Sequence, residues 1–372
     1  MNKKLIALAV AGASLAPVVA SAQTANPVTL YGRALVMFES VKADGGSSAP
    51  LPTRNRVSDT LSFIGVRGTE DLGNNLKAFF QMEYQFRISE NNTGSPGLVT
   101  GRNSAVGLQG NFGSVLLGRW DTPWKTATLA IDPYADTTMA AFSGVLNDRV
   151  NFDRRENQTV QYWSPNLSGF QVRAAYAGND RRTATVNPSN TSFSGTYTQG
   201  PFYVGYVWER HKDQYKAYTA VGNAVPVAGA SERGQAIFGN VTLGAFKLGA
   251  MAQKYKKENP NNGVDSQRAE SRAQMFAATY TAGKNVFIYD YLVNKDNTFQ
   301  TVGAALRPAE ANCKANTFGY NYEFSRRTTF LAQYVMIKNN ATSLCNFGVN
   351  PLGGLVANQN VRGLAVGFRH FF

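Results

Sequence analysis

Leu76-Lys77-Ala78-Phe79-Phe80-Gln81-Met82-Glu83-Tyr84-Gln85-Phe86 places Leu76, Ala78, Phe80, Met82, Tyr84 and Phe86 on one face of an extended chain, and Lys77, Gln81, Glu83 and Gln85 on the other. Side chains of a strand alternate with a period of two, so this stretch reads as a strand with one apolar and one wet face. The pattern recurs to the last residue. Phe318, Tyr320, Tyr322 and Phe324 alternate with Gly319, Asn321, Glu323 and Ser325, and Leu364, Val366, Phe368, His370 and Phe372 alternate with Gly363, Ala365, Gly367 and Arg369. Two kinds of connection take turns between such segments. Tight ones, among them Asp71-Leu72-Gly73-Asn74, Gly110-Asn111-Phe112-Gly113, Gln199-Gly200-Pro201 and Gly244-Ala245, alternate with long polar ones near residues 43–56, 88–101, 122–154, 179–191, 211–232, 256–270, 295–315 and 339–360. Short turns at one end and long loops at the other describe an up-and-down meander of about 16 strands.

Composition points the same way. The 372 residues include 35 Gly and 12% aromatics but only 16% charged residues, which is far from the balance of a helical protein, and 43% hydrophobic content argues against disorder. After Gln23 no run approaches 18 consecutive apolar residues, so no helix is expected to cross a membrane; a transmembrane strand needs only about ten alternating residues. A propeller or sandwich would also give short strands, but a soluble closed sheet keeps its apolar face inside, and no blade motif repeats here. The expected fold is all-β, a 16-stranded antiparallel transmembrane β-barrel. At the N-terminus, basic Met1-Asn2-Lys3-Lys4, apolar Leu5 to Ala16 and small Ala20-Ser21-Ala22 read as an export signal over residues 1–22, leaving residues 23–372 as a single barrel domain. Losing Lys3 and Lys4 takes the net charge from +13 to +11.

Val28-Thr29-Leu30-Tyr31-Gly32, Gly68-Thr69-Glu70-Asp71-Leu72-Gly73, Val106-Gly107-Leu108, Phe112 to Arg119, Ser164-Pro165 with Ser168-Gly169-Phe170, and terminal Gly367-Phe368-Arg369-His370-Phe371-Phe372 follow one another in this order. In these motifs the chain resembles the Gram-negative general porins of the beta-proteobacterial and neisserial type. The resemblance implies an exported homotrimer of 16-stranded barrels in the cell outer membrane, set among its lipids and lipopolysaccharide. Each barrel would pass ions and small hydrophilic solutes by passive diffusion, with the third loop folded into the lumen as a constriction. Phe372 is similar to the terminal residue by which chains of the family are sorted into that membrane.

The longest early loop, residues 122–154, is third in order and carries Asp132, Asp136 and Asp148 among small residues that suit packing on an inner wall. Opposed rings of fixed charge set ion preference in a pore, so basic residues with inward parity are the candidate partners of that loop. Strand parity turns Arg33 inward, then Arg67, then Lys77 with Glu83, then Arg155 with Asn157 and Gln161, then Arg173. Arg119 shares parity with outward Val115 and Leu117; an Arg facing mid-bilayer lipid would cost about 2 to 4 kcal/mol, so it belongs at a rim, at a trimer contact or past a twist. Leu35 and Phe63 stand where the family often carries Asp and Arg. With Met37 they leave one side of the lumen less charged, which suggests solutes with a hydrophobic part, such as aromatic acids.

A charge of +11 without a dense basic run suits a lumen that draws in small anions better than nucleic-acid binding; Lys254, Lys256 and Lys257 come nearest to such a run. For catalysis, His211 and His370 are the only imidazoles, no Gly-x-Ser-x-Gly elbow occurs, and no spacing of His, Cys and carboxylates suggests a metal or cofactor site. An outer-membrane barrel hydrolase and a surface adhesin remain the alternatives. Cys313 and Cys345 fall in the seventh and eighth long loops, and export to an oxidising compartment favours a disulfide between them.

Overall fold

The structure, a computed structural model, describes residues 28–46, 49–89, 97–135, 137–146, 152–178, 182–213, 228–259, 267–301, 312–341 and 343–372. The export segment 1–22 and residues Asp136 and Asp148 lie outside the described residues.

The alternating segments pair edge to edge. In chain order the strands are β1 Thr29–Asp44, β2 Leu51–Asp59, β3 Phe63–Gly73, β4 Leu76–Arg87, β5 Gly97–Gly101, β6 Ser104–Gly110, β7 Gly113–Asp121, β8 Arg155–Trp163 and β9 Phe170–Ala177. There follow β10 Ser189–Gln199, β11 Phe202–Lys212, β12 Ser231–Leu243, β13 Phe246–Asn259, β14 Gln267–Ala282, β15 Asn285–Thr301, β16 Cys313–Glu323, β17 Thr328–Asn339 and β18 Asn360–Phe371. Every pairing is antiparallel, and β1 bonds to β18 on one side and to β2 and β3 on the other, which closes the sheet. β2 and β3 run in line along β1, broken where Leu61 takes a φ of 66°, and β5 and β6 run in line along β4. The eighteen strands therefore make sixteen crossings. Phe372 completes the seam: its N–H donates to the Gly32 carbonyl at 3.1 Å and its carbonyl accepts from Gly32 N–H at 3.0 Å.

The tight turns have the backbone that strand twist requires. Asn74 and Asn75, joining β3 to β4, both take positive φ (52° and 61°), the form that matches the right-handed twist of the flanking strands. At the other end the strands outrun the sequence pattern: residues 51–56, 256–259, 267–270 and 295–301, expected as loop, are paired strand. Beyond the lipid both faces are wet, so alternation fades from the sequence while backbone pairing continues.

One face of the sheet is an exposed apolar belt. Met82 and Tyr84 on β4, Tyr206 on β11, Phe276 on β14, Tyr291 on β15, and Leu364 and Phe368 on β18 are exposed, whereas their neighbours Glu83, Val207, Met275, Leu292 and Ala365 are buried. Such a belt inverts the soluble arrangement and meets hydrocarbon without leaving any backbone edge unpaired.

The buried face is covered on one side by the segment that follows β7. Thr122 caps its first helix, α1 (Pro123–Thr128), accepting from Lys125 N–H at 3.3 Å, with Pro123 at the start where its missing N–H costs nothing. A 3₁₀ turn (Leu129–Ile131) follows, and then the short helix α2 (Ser143–Leu146). Trp124, Ile131, Met139, Phe142, Val145 and Leu146 form one buried cluster with Val207, Met251, Tyr255, Met275, Leu292, Val335 and Ile337 of the wall. Because these wall residues alternate with the exposed belt, the segment lies on the opposite, inner face of the barrel. Its carbonyls, which short helices leave without partners, accept from the wall: Ala127 from Tyr203 Oη (2.9 Å), Ala130 from Lys247 Nζ (3.2 Å), Val145 from Asn294 Nδ2 (2.9 Å), and Leu146 from Gln253 Nε2 (3.0 Å) and from Tyr255 Oη. Gly144 approaches so closely that a Cβ there would sit 2.3 Å from the Asn346 carbonyl oxygen. A disulfide joins Cys313, at the start of β16, to Cys345 in the last long loop, and Asn339 holds Cys345 by two backbone bonds of 2.9 Å.

Candidate functional site

The first crossings and the last build a charged wall. Arg33 on β1 is buried; its guanidinium donates to the Leu61 carbonyl at 2.7 Å and lies 5.3 Å from the Phe63 ring centre. The charges of Arg102, Arg369, Glu83 and Asp59 all bear on it. Arg102 also lies over the Phe63 ring, 4.9 Å from its centre, and is 3.4 Å from Glu83, which also accepts from Tyr31 Oη at 2.9 Å. Arg67 on β3 lies over the Tyr31 ring at 4.8 Å. Arg155 pairs with Asp121 at 2.9 Å and donates to Asn103, at the root of the 122–146 segment. Arg173 on β9 lies 4.7 Å over Trp163 and donates to Gln171 at 3.0 Å. Stacking on an aromatic face holds a guanidinium in place without consuming its five N–H donors, more than these bonds use. Lys77, by contrast, sits one residue past the start of β4, exposed beside the tight turn and well away from Glu83 along the strand.

The region under the 122–146 segment holds buried carboxyls. Asp132 is buried and accepts from Tyr134 N–H at 2.8 Å, while Asp290 on β15 is fully buried. Burial first, then the negative charges of Asp290 and Asp132, push the Tyr134 phenol well above its ordinary value, so it stays a neutral hydroxyl. Gly319 makes room for that ring, since a Cβ there would lie 2.7 Å from the Tyr134 hydroxyl. The arginines thus belong to the first strands and β8 to β9, and these buried carboxyls to the 122–146 segment and β15.

Two positions depart from simple parity. Asn157, expected on the face of Gln161, is exposed, while Gln161 is buried. The cause is a bulge: Gln158 takes φ 51°, Gly118 takes φ 154°, and the register between β7 and β8 shifts there. Arg119 stands beside the bulge at the loop end of β7, and its guanidinium donates to the Gly101 carbonyl at 2.9 Å and to Asn157. Leu35 and Met37 do point inward but are fully buried in the cluster made with the 122–146 segment, so they offer no apolar surface to a solute.

Several residues escaped the sequence reading although their parity was visible. Arg369 alternates with Phe368 and His370, and Glu39 shares the face of Arg33; Glu39 is fully buried and pairs with Arg56 at 2.7 Å. Arg102 had no such signal, because it lies in the break between β5 and β6. His211, noted only as an isolated imidazole, is clamped between Glu209 (2.7 Å from Nε2) and Glu232 (2.8 Å from Nδ1). Phe152 stacks on it at 4.8 Å and on Trp124 at 5.0 Å, tying the far end of the third loop to the wall. Among the described residues no three His, Cys, Asp or Glu side chains gather as a metal site.

A family model described as Gram-negative porin matches residues 7–342. Outer membrane porin protein 32 of Delftia acidovorans is 28% identical over 391 residues, covering 100% of both chains. A major outer membrane protein P.IB of Neisseria meningitidis is 33% identical over 218 residues, 57% of this chain and 61% of that protein. Among solved structures, the anion-selective porin from Comamonas acidovorans superposes with a TM-score of 0.76 at 25% identity, covering 93% of this chain and all of the other. The trimer form of OmpT, an outer membrane protein of Vibrio cholerae, has a TM-score of 0.66 at 17% identity, with 94% of this chain covered, and shares the fold.

Proposed function

The chain belongs to the Gram-negative porin family and is an outer-membrane channel for passive diffusion; from that premise we propose that its pore prefers anions and that Arg33, Arg67, Arg102, Arg155 and Arg173 carry the preference. The observation that carries this reading is the stacking of arginines on Phe63, Tyr31 and Trp163 along one wall, opposite a segment anchored through its backbone. A relative described as anion-selective supports it. Glu83 positions Tyr31 and Arg102 within that wall, Asp132 and Asp136 supply the opposing charge, and the 122–146 segment narrows the lumen as its constriction. Lys77 acts as a rim charge that concentrates anions at the mouth, and Arg119, at the other end of the strands, acts only through the field. The assembly is a homotrimer, residues 1–22 are an export signal, and Phe372 serves outer-membrane sorting.

Reversal potential under a tenfold KCl gradient in planar bilayers tests the reading. Chloride preference is expected, and Arg67→Gln should lower it. A fixed charge about 4 Å from the ion path is worth about 1 kcal/mol in water, which corresponds to a roughly fivefold change in the chloride-to-potassium permeability ratio, and less at high salt. Potassium preference in the unaltered protein would place the acidic segment in control and overturn the assignment.

A further inference from the structure

The charged wall carries more aromatic surface than conduction of a simple ion requires. Tyr31 meets Phe63 edge-on at 6.1 Å beneath Arg67, and Trp163 meets Trp120 edge-on at 5.7 Å beneath Arg173. Arg67 from the first group and the two tryptophans of the second border an open hollow of about 620 Å³, lined also by Phe79, Gln81 and Gln171. Leu35, Met37 and Met251 of the inner wall are covered by the 122–146 segment, whereas Phe79, Trp120 and Trp163 stay partly exposed at the hollow.

We propose that this hollow is a transit subsite for aromatic carboxylates, an inference that rests on the anion-pore reading and narrows it. The guanidinium edge of Arg67 receives the carboxylate in its two-pronged geometry, while the π-faces of Trp163 and Phe79 receive the ring. Gln81 and Gln171 have amide groups that can bond either to a ring substituent or to water beside it. A short aliphatic acid uses only the arginine, so ring contact is what separates the two classes of solute.

The test is block of chloride current through the full-length folded protein in planar bilayers, with benzoate, cyclohexanecarboxylate or acetate added to one side. Benzoate is expected to reach half-block at a concentration roughly three- to tenfold below acetate, the span that a single aromatic contact supplies. Cyclohexanecarboxylate should fall between them, because it has the area without the π-face. Trp163→Ala and Phe79→Ala should each draw the benzoate value toward that of acetate, whereas Arg67→Gln should raise both values together. Equal half-block by benzoate and acetate in the unaltered protein overturns the subsite, and that comparison needs no variant to fold. Benzoate block unchanged by both aromatic substitutions overturns it as well, since the ring would then bind elsewhere. Absent or potassium-preferring current before any acid is added counts instead against the anion-pore reading, so the two failures are distinguishable.

Discussion

The two walls of this barrel are stabilised by different physics. On β11 to β17 the inner face mixes apolar residues with buried polar ones such as Gln253 and Asp290, and it is buried against the 122–146 segment, whose carbonyls are satisfied one by one from wall side chains. On β3 to β9 the inner face carries arginines held by stacking and by part-buried carboxylates, and part of it stays open around a hollow. The first wall contributes stability because its atoms are removed from water; the second contributes a field because its side chains carry charge beside the open hollow. A pore needs both, since a charged wall has an effect only if the segment across from it stays in place.

Substitutions separate the two walls by size of effect. Trp124→Ala opens a cavity in the covered wall and should cost about 3 to 5 kcal/mol, read as a lower thermal unfolding midpoint, with single-channel conductance rising as the segment loosens. Replacing both Cys313 and Cys345 by Ser, or reducing their bond before unfolding, should cost about 3 to 4 kcal/mol for a closed loop of about 30 residues, seen as a lower denaturant midpoint with little change in ion preference. Arg173→Ala on the open wall removes one stacked cation and should cost only about 0.5 to 2 kcal/mol in the same unfolding assay, while shifting the reversal potential toward potassium. Arg233→Ala breaks a half-exposed pair with Glu258 at the far end of β12 and should change stability by about 0 to 1 kcal/mol and selectivity not at all. If Arg173→Ala proved as destabilising as Trp124→Ala, the division of labour between the walls would fail.

Most of the barrel was legible in the sequence because strand parity is local: Phe368 exposed and Ala365 buried follow from their spacing alone. Parity likewise put Arg33, Arg67, Glu83 and Arg173 on the inner face. It missed Arg102, which sits in a strand break where no parity exists, and it misjudged Asn157, because the bulge at Gln158 breaks the alternation there. The extent of the strands past the membrane was hidden for the same reason, since pairing there leaves no alternating trace.

Alternation, tight-turn chemistry and the terminal motifs, all short-range properties, determined by themselves that this chain closes as a barrel with its apolar face outward. Only the tertiary structure decided which inward residues meet solute. Leu35 and Arg33 share a strand face two residues apart, yet Leu35 is fully sealed in the buried cluster while Arg33 joins the charged wall beside Phe63 and Arg102. Coverage by a segment about a hundred residues distant is a non-local contact, set by how carbonyls of residues 127–146 find donors on β11, β13 and β15, and no periodicity in β1 encodes it.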